Sequence, residues 1–210
     1  DGLEDVYLGG ALGQPAELYL QDKGGKFNKQ AQPVFERDKS HEDNGAHFFD
    51  ADGDGDLDLY VASGGYELKE GDALLQDRLY INDGKGNFAR SAKLPRMLGS
   101  TKSVASFDYD GDGDLDLFVG GRVLPGKYPL APRSYILENA NGGFVDVTDR
   151  VAPGFSGIGM VNDILLSDHD GDGSRDLMVV GEWMPITVFS NEKGKFQKTD
   201  IPSFEGTDGW

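Results

Sequence analysis

Five aspartates alternate with other residues in Asp50-Ala51-Asp52-Gly53-Asp54-Gly55-Asp56-Leu57-Asp58, and the apolar segment Leu59-Tyr60-Val61 follows directly. The same pattern returns at 108–116 and at 168–176, again before apolar residues. Like charges this close together repel one another unless a cation offsets them. The pattern therefore predicts three cation-binding loops, each leading into a β-strand.

Oxygen atoms are the only ligands that these loops offer, which indicates a hard cation. Aspartates at loop positions 1, 3 and 5 can converge, glycine at position 6 permits a sharp turn, position 7 offers its backbone carbonyl, and aspartate at position 9 completes the shell. About six or seven oxygens with flexible spacing suit Ca²⁺ better than Mg²⁺. The predicted ligands of about three calcium ions are Asp50, Asp52, Asp54, Asp56 and Asp58, then Asp108, Asp110, Asp112, Asp114 and Asp116, then Asp168, Asp170, Asp172, Ser174 and Asp176.

An EF-hand is the nearest alternative, and it requires an acidic residue at position 12 on an exiting helix. Position 12 is Val61, Val119 and Val179 in this sequence, each inside an apolar segment. The pattern therefore argues against an EF-hand. Three copies with the same spacing also argue against a merely solvated acidic turn.

A longer repeat surrounds each loop. One apolar segment precedes the loop, a second follows it, and a third ends in a glycine-rich turn before a phenylalanine, as in Leu79-Tyr80-Ile81-Asn82 and Phe88. Four strands in a repeat of roughly 60 residues are typical of one propeller blade. We therefore predict an all-β fold: a partial β-propeller of about three and a half four-stranded antiparallel blades, with calcium loops between strands A and B.

The predicted units cover residues 1–44, 45–102, 103–160 and 161–203, and residues 204–210 lead into a further blade. Asp1 and Asp5 fall on positions 5 and 9 of a loop whose first half is absent from the sequence, so only a partial ion site is expected there. This arrangement predicts that the chain is a piece of a longer protein. Phe27, Phe88, Phe144 and Phe196 open the fourth strands and are expected in the core.

Composition narrows the choice of partners. The 210 residues carry a net charge of -17, and the three loops hold 14 of the 37 acidic residues. An acidic surface argues against nucleic acid as a partner. Without an apolar run of about 18 residues, no membrane insertion is expected. The absence of cysteine excludes disulfides and thiolate metal sites.

The motif Asp-x-Asp-x-Asp-Gly-x-x-Asp-Leu, followed by Leu-Tyr-x-Asn and Gly-x-Phe, resembles the FG-GAP/VCBS repeat, the calcium-binding blade of integrin α-subunit propellers. Residues 121–129 look most like bacterial VCBS-repeat surface proteins similar to cartilage acidic protein, which often carry an ASPIC/UnbV domain. No such domain is visible in this sequence. The resemblance implies a seven-bladed propeller and an extracellular, cell-surface or periplasmic location.

The face opposite the acidic loops is the expected place for a ligand. Its expected members are His41, Glu42, Tyr66, Arg96, Arg122, Lys127, Tyr128, Arg133, Glu182 and Trp183. Among them Arg122, Lys127, Tyr128, Arg133 and Trp183 are the candidate site for an anionic glycan or an acidic peptide. The alternative is that the arginines pair with acidic neighbours and the aromatic rings pack between blades. His169, at loop position 2, is expected to point outward as a bystander.

Three functions are compatible with these features. The first is a non-catalytic module for protein or glycan binding and adhesion. The second is an accessory or catalytic, lyase-like propeller of a polysaccharide-active enzyme, and the third is a structural spacer. Exposed blade edges also predict self-association or pairing with the rest of the parent chain.

Overall fold

The computed structural model describes residues 2–208 and contains four antiparallel sheets, each a meander of strands in chain order. The first sheet contains β1 (Val6–Leu8), β2 (Glu17–Gln21) and β3 (Phe27–Gln30). The second contains β4 (Glu42–Phe49), β5 (Asp58–Gly64), β6 (Arg78–Asn82) and β7 (Phe88–Ser91). The third contains β8 (Ser100–Phe107), β9 (Asp116–Val123), β10 (Tyr135–Ala140) and β11 (Gly143–Asp146). The fourth contains β12 (Met160–Ser167), β13 (Asp176–Glu182), β14 (Thr187–Asn191) and β15 (Phe196–Thr199). The prediction of an all-β fold built from repeated antiparallel units is confirmed.

The first strand of each complete sheet is longer than the sequence pattern indicates. These strands begin at Glu42, Ser100 and Met160, about four residues before the apolar alternation starts. A register shift interrupts each of them, for example between Asp43 and Gly45. Because a bulge breaks the two-residue period, the polar first half of each strand does not look like a strand in the sequence. The predicted unit boundaries fall inside these strands and stay a prediction.

Short helical segments connect some of the strands. They are α1 (Pro33–Asp38), α2 (Thr148–Val151) and two 3-10 turns at Ala73–Leu75 and Pro202–Phe204. α1 and α2 both follow the last strand of a sheet, and they bury Val34, Phe35 and Val151. Segments of four to six residues are too short to show a helical period, which explains why the sequence pattern did not indicate them.

Apolar side chains fill the space between successive sheets. Between the first and second sheets, Leu18 and Phe35 pack with Leu59, Val61 and Tyr80. Two further clusters lie between the second and third sheets and between the third and fourth sheets. Each interface combines residues from two units, so no unit completes its core alone.

The phenylalanines that open the last strands differ in burial. Phe144 and Phe196 are buried and Phe88 is partly buried, each against the preceding sheet. Phe27 is 43% exposed, so its prediction as a core residue is wrong. No described unit packs against its face of the first sheet. At the other end of the stack, Leu165 on β12 is 58% exposed. Self-association through these faces stays a prediction.

The first strands of neighbouring sheets approach each other closely. A Cβ atom built on Gly45 in β4 would lie 2.1 Å from the carbonyl oxygen of Lys102 in β8. Only glycine permits this distance between the two backbones.

A buried carboxylate ties the second sheet to the third. Asp77 is 2% exposed and accepts hydrogen bonds from the Tyr60 hydroxyl at 2.6 Å, the Ser63 N–H at 2.7 Å and the Thr101 hydroxyl at 2.6 Å. Burial raises the pKa of Asp77 to about 6, although the hydrogen bonds that Ser63, Thr101 and Tyr60 donate oppose this rise. The buried carboxylate of Asp77 therefore joins the two units, and its contribution to the free energy of unfolding depends on pH.

Replacing Gly45 with alanine should destabilise the fold by about 1–3 kcal/mol, because the new methyl group forces β4 away from β8. Urea unfolding at equilibrium measures the change. Gly157→Ala is the control, since a Cβ there meets no atom within 4 Å. Equal unfolding midpoints for the two variants would show that the strands do not touch in this way.

The free energy of unfolding should fall less between about pH 4 and pH 7 in the Asp77→Asn variant than in the unchanged protein. The folded-state pKa of Asp77 lies above the ordinary value of about 3.9, so the folded protein keeps a proton that the unfolded chain releases, and the free energy of unfolding falls as pH rises. The full effect is worth roughly 3 kcal/mol. Urea unfolding of both proteins in calcium-free buffer across this range measures it. Parallel stability curves for the two proteins would refute the assignment.

Candidate metal centres

Each of the three acidic loops gathers carboxylate oxygens at one end of its sheet. In the first complete loop, one oxygen each from Asp50, Asp52 and Asp58 lie within 4.8 Å of one another. The second loop repeats this group with Asp108, Asp110 and Asp116. The third loop differs, because it contains two groups: Asp168 with Asp170 and Asp172, and His169 with Asp170 and Asp176. Each loop leads into a β-strand, whereas an EF-hand loop would lead into a helix.

The aspartate at position 1 shapes the loop through the backbone. Asp50 accepts hydrogen bonds from the N–H of Gly53 at 2.8 Å and of Gly55 at 3.0 Å. These two glycines have φ values of +78° and +90°, a region that favours glycine. The other two loops repeat both contacts. Glycine at position 6 is expected from the sharp turn, and the glycine at position 4 has the same positive-φ conformation.

The aspartate at position 9 is buried and bonds to two separate parts of its own unit. Asp58 is fully buried, and its two oxygens accept the N–H groups of Ala51, in the loop, and Asn82, at the end of β6, both at 2.8 Å. We call this pair of bonds the aspartate bracket. It recurs as Asp116 with Tyr109 and Asn139, and as Asp176 with His169 and Asn191. Position 9 was predicted only as an ion ligand, and its tie to the third strand of the sheet was missed.

The asparagine at the end of the third strand extends the bracket. Asn139 donates from its side chain to the carbonyl of Leu115 in its own loop at 3.1 Å. The same amide donates to the carbonyl of Ala51, in the preceding unit's loop, at 2.9 Å. The Leu-Tyr-x-Asn pattern marks the equivalent Asn82, whereas Ile136-Leu137-Glu138 precedes Asn139. Asn139 therefore links the acidic loops of neighbouring units.

The first unit keeps part of this arrangement. Asp5 accepts the N–H of Gln21 at 2.9 Å, and Gln21 takes the place of the asparagine. Asp1 lies outside the described residues. The structure therefore shows one half of an aspartate bracket in the first unit.

Positions 5 and 7 are arranged less uniformly. Asp172 joins the oxygen group of its loop, whereas Asp54 and Asp112 do not belong to the groups of theirs. All three position-5 aspartates accept the N–H of position 7, at 2.9 Å for Asp54. The Asp114 side chain accepts the N–H of Asn141 in the neighbouring turn at 3.2 Å. Coordination by the carbonyls of Asp56, Asp114 and Ser174 stays a prediction.

His169 does not point outward, so the prediction of a bystander is wrong. Its Nδ1 forms a hydrogen bond of 2.7 Å with Asp176, and its side chain is 18% exposed. The equivalent side chains, Ala51 and Tyr109, are buried against the next unit. Position 2 is therefore buried against the following unit in the first two loops, and in the third it bonds to position 9 of its own loop.

Burial and mutual repulsion disfavour charge in these loops. Burial raises the pKa of Asp58 to about 6, and the nearby Asp52 and Asp54 raise it further, while N–H donors oppose the shift. The pKa of Asp116 rises to about 7 for the same reasons. Asp176 differs because hydrogen bonds from His169 and two N–H groups outweigh its burial and lower its pKa.

A hard divalent cation fits this donor set. Among the described residues, three of the converging groups consist of carboxylates alone, and a fourth combines the His169 imidazole with Asp170 and Asp176. A bound cation would offset the repulsion that raises the pKa values of Asp58 and Asp116. The residues present therefore match the cation that the spacing indicates, and they would hold it between the two strands that each loop joins.

On the opposite face, each of the three basic side chains of the predicted ligand site has an acidic partner. Arg122 bonds to Glu182, and Lys127 lies 2.5 Å from Glu70. Arg133 bonds to Asp146 at 3.1 Å and Asp149 at 3.2 Å, near α2. This pairing matches the alternative reading of the basic residues. They do not form an unpaired basic patch.

The aromatic members of this face partly converge. Trp183 donates from Nε1 to the hydroxyl of Tyr128 at 2.8 Å, and both side chains are about half exposed. Arg122 and Tyr128 line one cleft, of which Lys127 and Arg133 are not lining residues. His41 was expected on this face and is instead buried, with its Nδ1 3.0 Å from the Leu74 carbonyl. The residues predicted to form one ligand site therefore lie in separate places on the structure.

The sequence matches the family described as FG-GAP-like repeat over residues 1–61 and 69–119, just over half of its length. The chain therefore belongs to this family, and its fold and family together define a propeller module. Sheet four lies beyond the matched residues but repeats the same loop and bracket. FG-GAP repeats are typical of extracellular proteins. No curated protein matches the sequence. None of the helices between residues 2 and 208 has the length and apolar character needed to span a bilayer.

Asp116→Ala should lower the free energy of unfolding by about 3 kcal/mol even in calcium-free buffer, because it leaves two N–H groups without an acceptor. Urea unfolding in excess chelator measures this. Asp114→Ala is the control, since it removes the same charge from the same loop but breaks only one exposed contact. Equal destabilisation by the two variants would show that the aspartate bracket has no structural role.

Proposed function

We propose that this chain is a calcium-stabilised propeller module that binds a protein or glycan and has no catalytic role of its own. The observation that carries the proposal is the convergence of carboxylates in three successive loops at one end of the stack. Most of the clustered acidic groups lie in those loops, where we assign them a structural role. The opposite end, with the longest connections between second and third strands, is then the place for a ligand.

Calcium is the favoured ion for two reasons. Carboxylates that lie within 4.8 Å of one another on a flexible, glycine-rich loop match the larger and less strict coordination shell of Ca²⁺. Extracellular calcium is abundant enough to fill sites of modest affinity. A cell-surface or periplasmic location is part of the proposal and agrees with the usual setting of the family.

A lyase-like or accessory role in polysaccharide cleavage is the alternative within the same fold. It would require acidic groups placed around a substrate. The acidic groups that cluster here are engaged with loop N–H groups instead. This favours binding over cleavage.

Removing calcium should lower Tm by at least about 15 °C. Calcium at 100 times Kd adds about 2.7 kcal/mol per site, and 1 kcal/mol shifts Tm by about 2–4 °C in a chain of this size. Differential scanning calorimetry with calcium and with EDTA measures the shift. An unchanged Tm would refute a structural role for the ion.

Asp52→Asn should remove one of about three calcium ions in a calorimetric titration, because Asp52 belongs to an oxygen group. Asp200→Asn is the charge-matched control, since this exposed residue follows β15 and lies outside the loops. Loss of an ion in both variants, or in neither, would count against this ligand set.

A further inference from the structure

A cleft of about 410 Å³ opens at the end of the stack away from the acidic loops. It lies between the beginnings of β4 and β8 and the ends of β5 and β9. Its walls include Glu42, Asn44, Tyr66, Glu67, Arg122 and Tyr128. Ligand pockets for small molecules are typically about 300–1,000 Å³, so the cleft has room for one.

The free charges in this cleft are negative. Arg122 is the basic residue among those named, and its guanidinium already bonds to Glu182. The carboxylates of Glu42 and Glu67 have no ion-pair or hydrogen-bond partner among residues 2–208. An anionic ligand would therefore meet two uncompensated carboxylates, so the structure does not support the acidic ligand that the basic residues of the sequence indicated.

Two tyrosines provide flat surfaces beside these carboxylates. Tyr66 is 50% exposed and Tyr128 is 51% exposed. The bond from Trp183 to the Tyr128 hydroxyl fixes one of these rings. Exposed aromatic faces attract cations and pack against apolar ring faces.

Asn44 adds an acceptor to the wall of the cleft. Asn44 donates its amide hydrogens to Ser100 at 3.2 Å and to the Thr101 carbonyl at 3.0 Å. Its carbonyl oxygen is then left to accept a hydrogen bond from a ligand. The cleft therefore offers two carboxylates, an amide oxygen and two aromatic rings.

We propose that this cleft binds an amino sugar with a protonated amine, as part of a glycan. The inference rests on the binding function proposed above and names its ligand class. Glu42 and Glu67 hold the ammonium and adjacent hydroxyl groups by charge-assisted hydrogen bonds. Tyr66 and Tyr128 pack against the sugar ring. A lysine side chain has a single donor group and no ring, so it would use only part of this surface.

Two oligosaccharides that differ only at the amine, protonated in one and acetylated in the other, test the proposal. A glucosamine tetrasaccharide and its N-acetylated counterpart are titrated into the calcium-loaded protein by calorimetry, with tetralysine as a third probe. The glucosamine oligomer should bind at least roughly tenfold more tightly than either of the others. Its affinity should also fall as the salt concentration rises.

Single variants place the binding in this cleft. Glu42→Gln, Glu67→Gln and Tyr66→Ala should each weaken glucosamine-oligomer binding roughly tenfold, with little change in Tm because these side chains are not buried. Glu192→Gln is the control, since it removes the same charge from an exposed turn on another sheet. It should leave the affinity unchanged.

Each contrary result has its own meaning. Equal binding of the N-acetylated oligomer, or tighter binding of tetralysine, would overturn the amino-sugar inference and leave the binding function standing. An effect of Glu192→Gln as large as that of Glu42→Gln would show diffuse charge attraction and overturn it too. No binding of any probe would also overturn it, and glycan and peptide arrays would then decide the broader binding function separately.

Discussion

Each of the three four-stranded units depends on a carboxylate that is removed from water and held by two N–H groups. Asp58 illustrates this: one bond reaches the loop that precedes it and the other reaches the end of the third strand. Burying a charge is costly unless hydrogen bonds or an opposite charge compensate it. The raised pKa values of Asp58 and Asp116 show that the N–H groups compensate only in part. A cation in the loop would supply the remainder, which connects the local fold to ion binding.

The same loops lie at the interfaces between units. Asn139 of one unit bonds to the Ala51 carbonyl in the loop of the preceding unit, and a Cβ on Gly142 would come within 3.2 Å of Asp52. An ion that orders one loop therefore acts on the surface against which the next sheet packs. Because the apolar clusters also combine residues from two units, an ion bound in the loop would stabilise the same contacts as stacking does.

The two ends of the stack have different chemistry. At the loop end, carboxylates converge, and a bound cation would offset their mutual repulsion. At the other end, basic residues are already paired with acidic ones, as Arg122 is with Glu182, and unpaired carboxylates lie beside exposed tyrosines. Under the function that we propose, the loop end is structural and the other end binds the ligand. The unpaired carboxylates there favour a ligand of the opposite charge from the one that the basic residues alone indicated.

The sequence by itself determined the strand order, the three loops and most of the carboxylates that converge in them, because the spacing of aspartates and glycines acts over a few neighbouring residues. Local spacing also separated the loops from EF-hands. Only the tertiary structure decided the exposure of Phe27, the contact of His169 with Asp176 and the pairing of Arg133. Phe27 and Arg133 depend on which distant segments lie against them, and sequence spacing does not carry that information. The tertiary structure alone also decided the second bond of each aspartate bracket, since its donor comes from a strand 15–24 residues away.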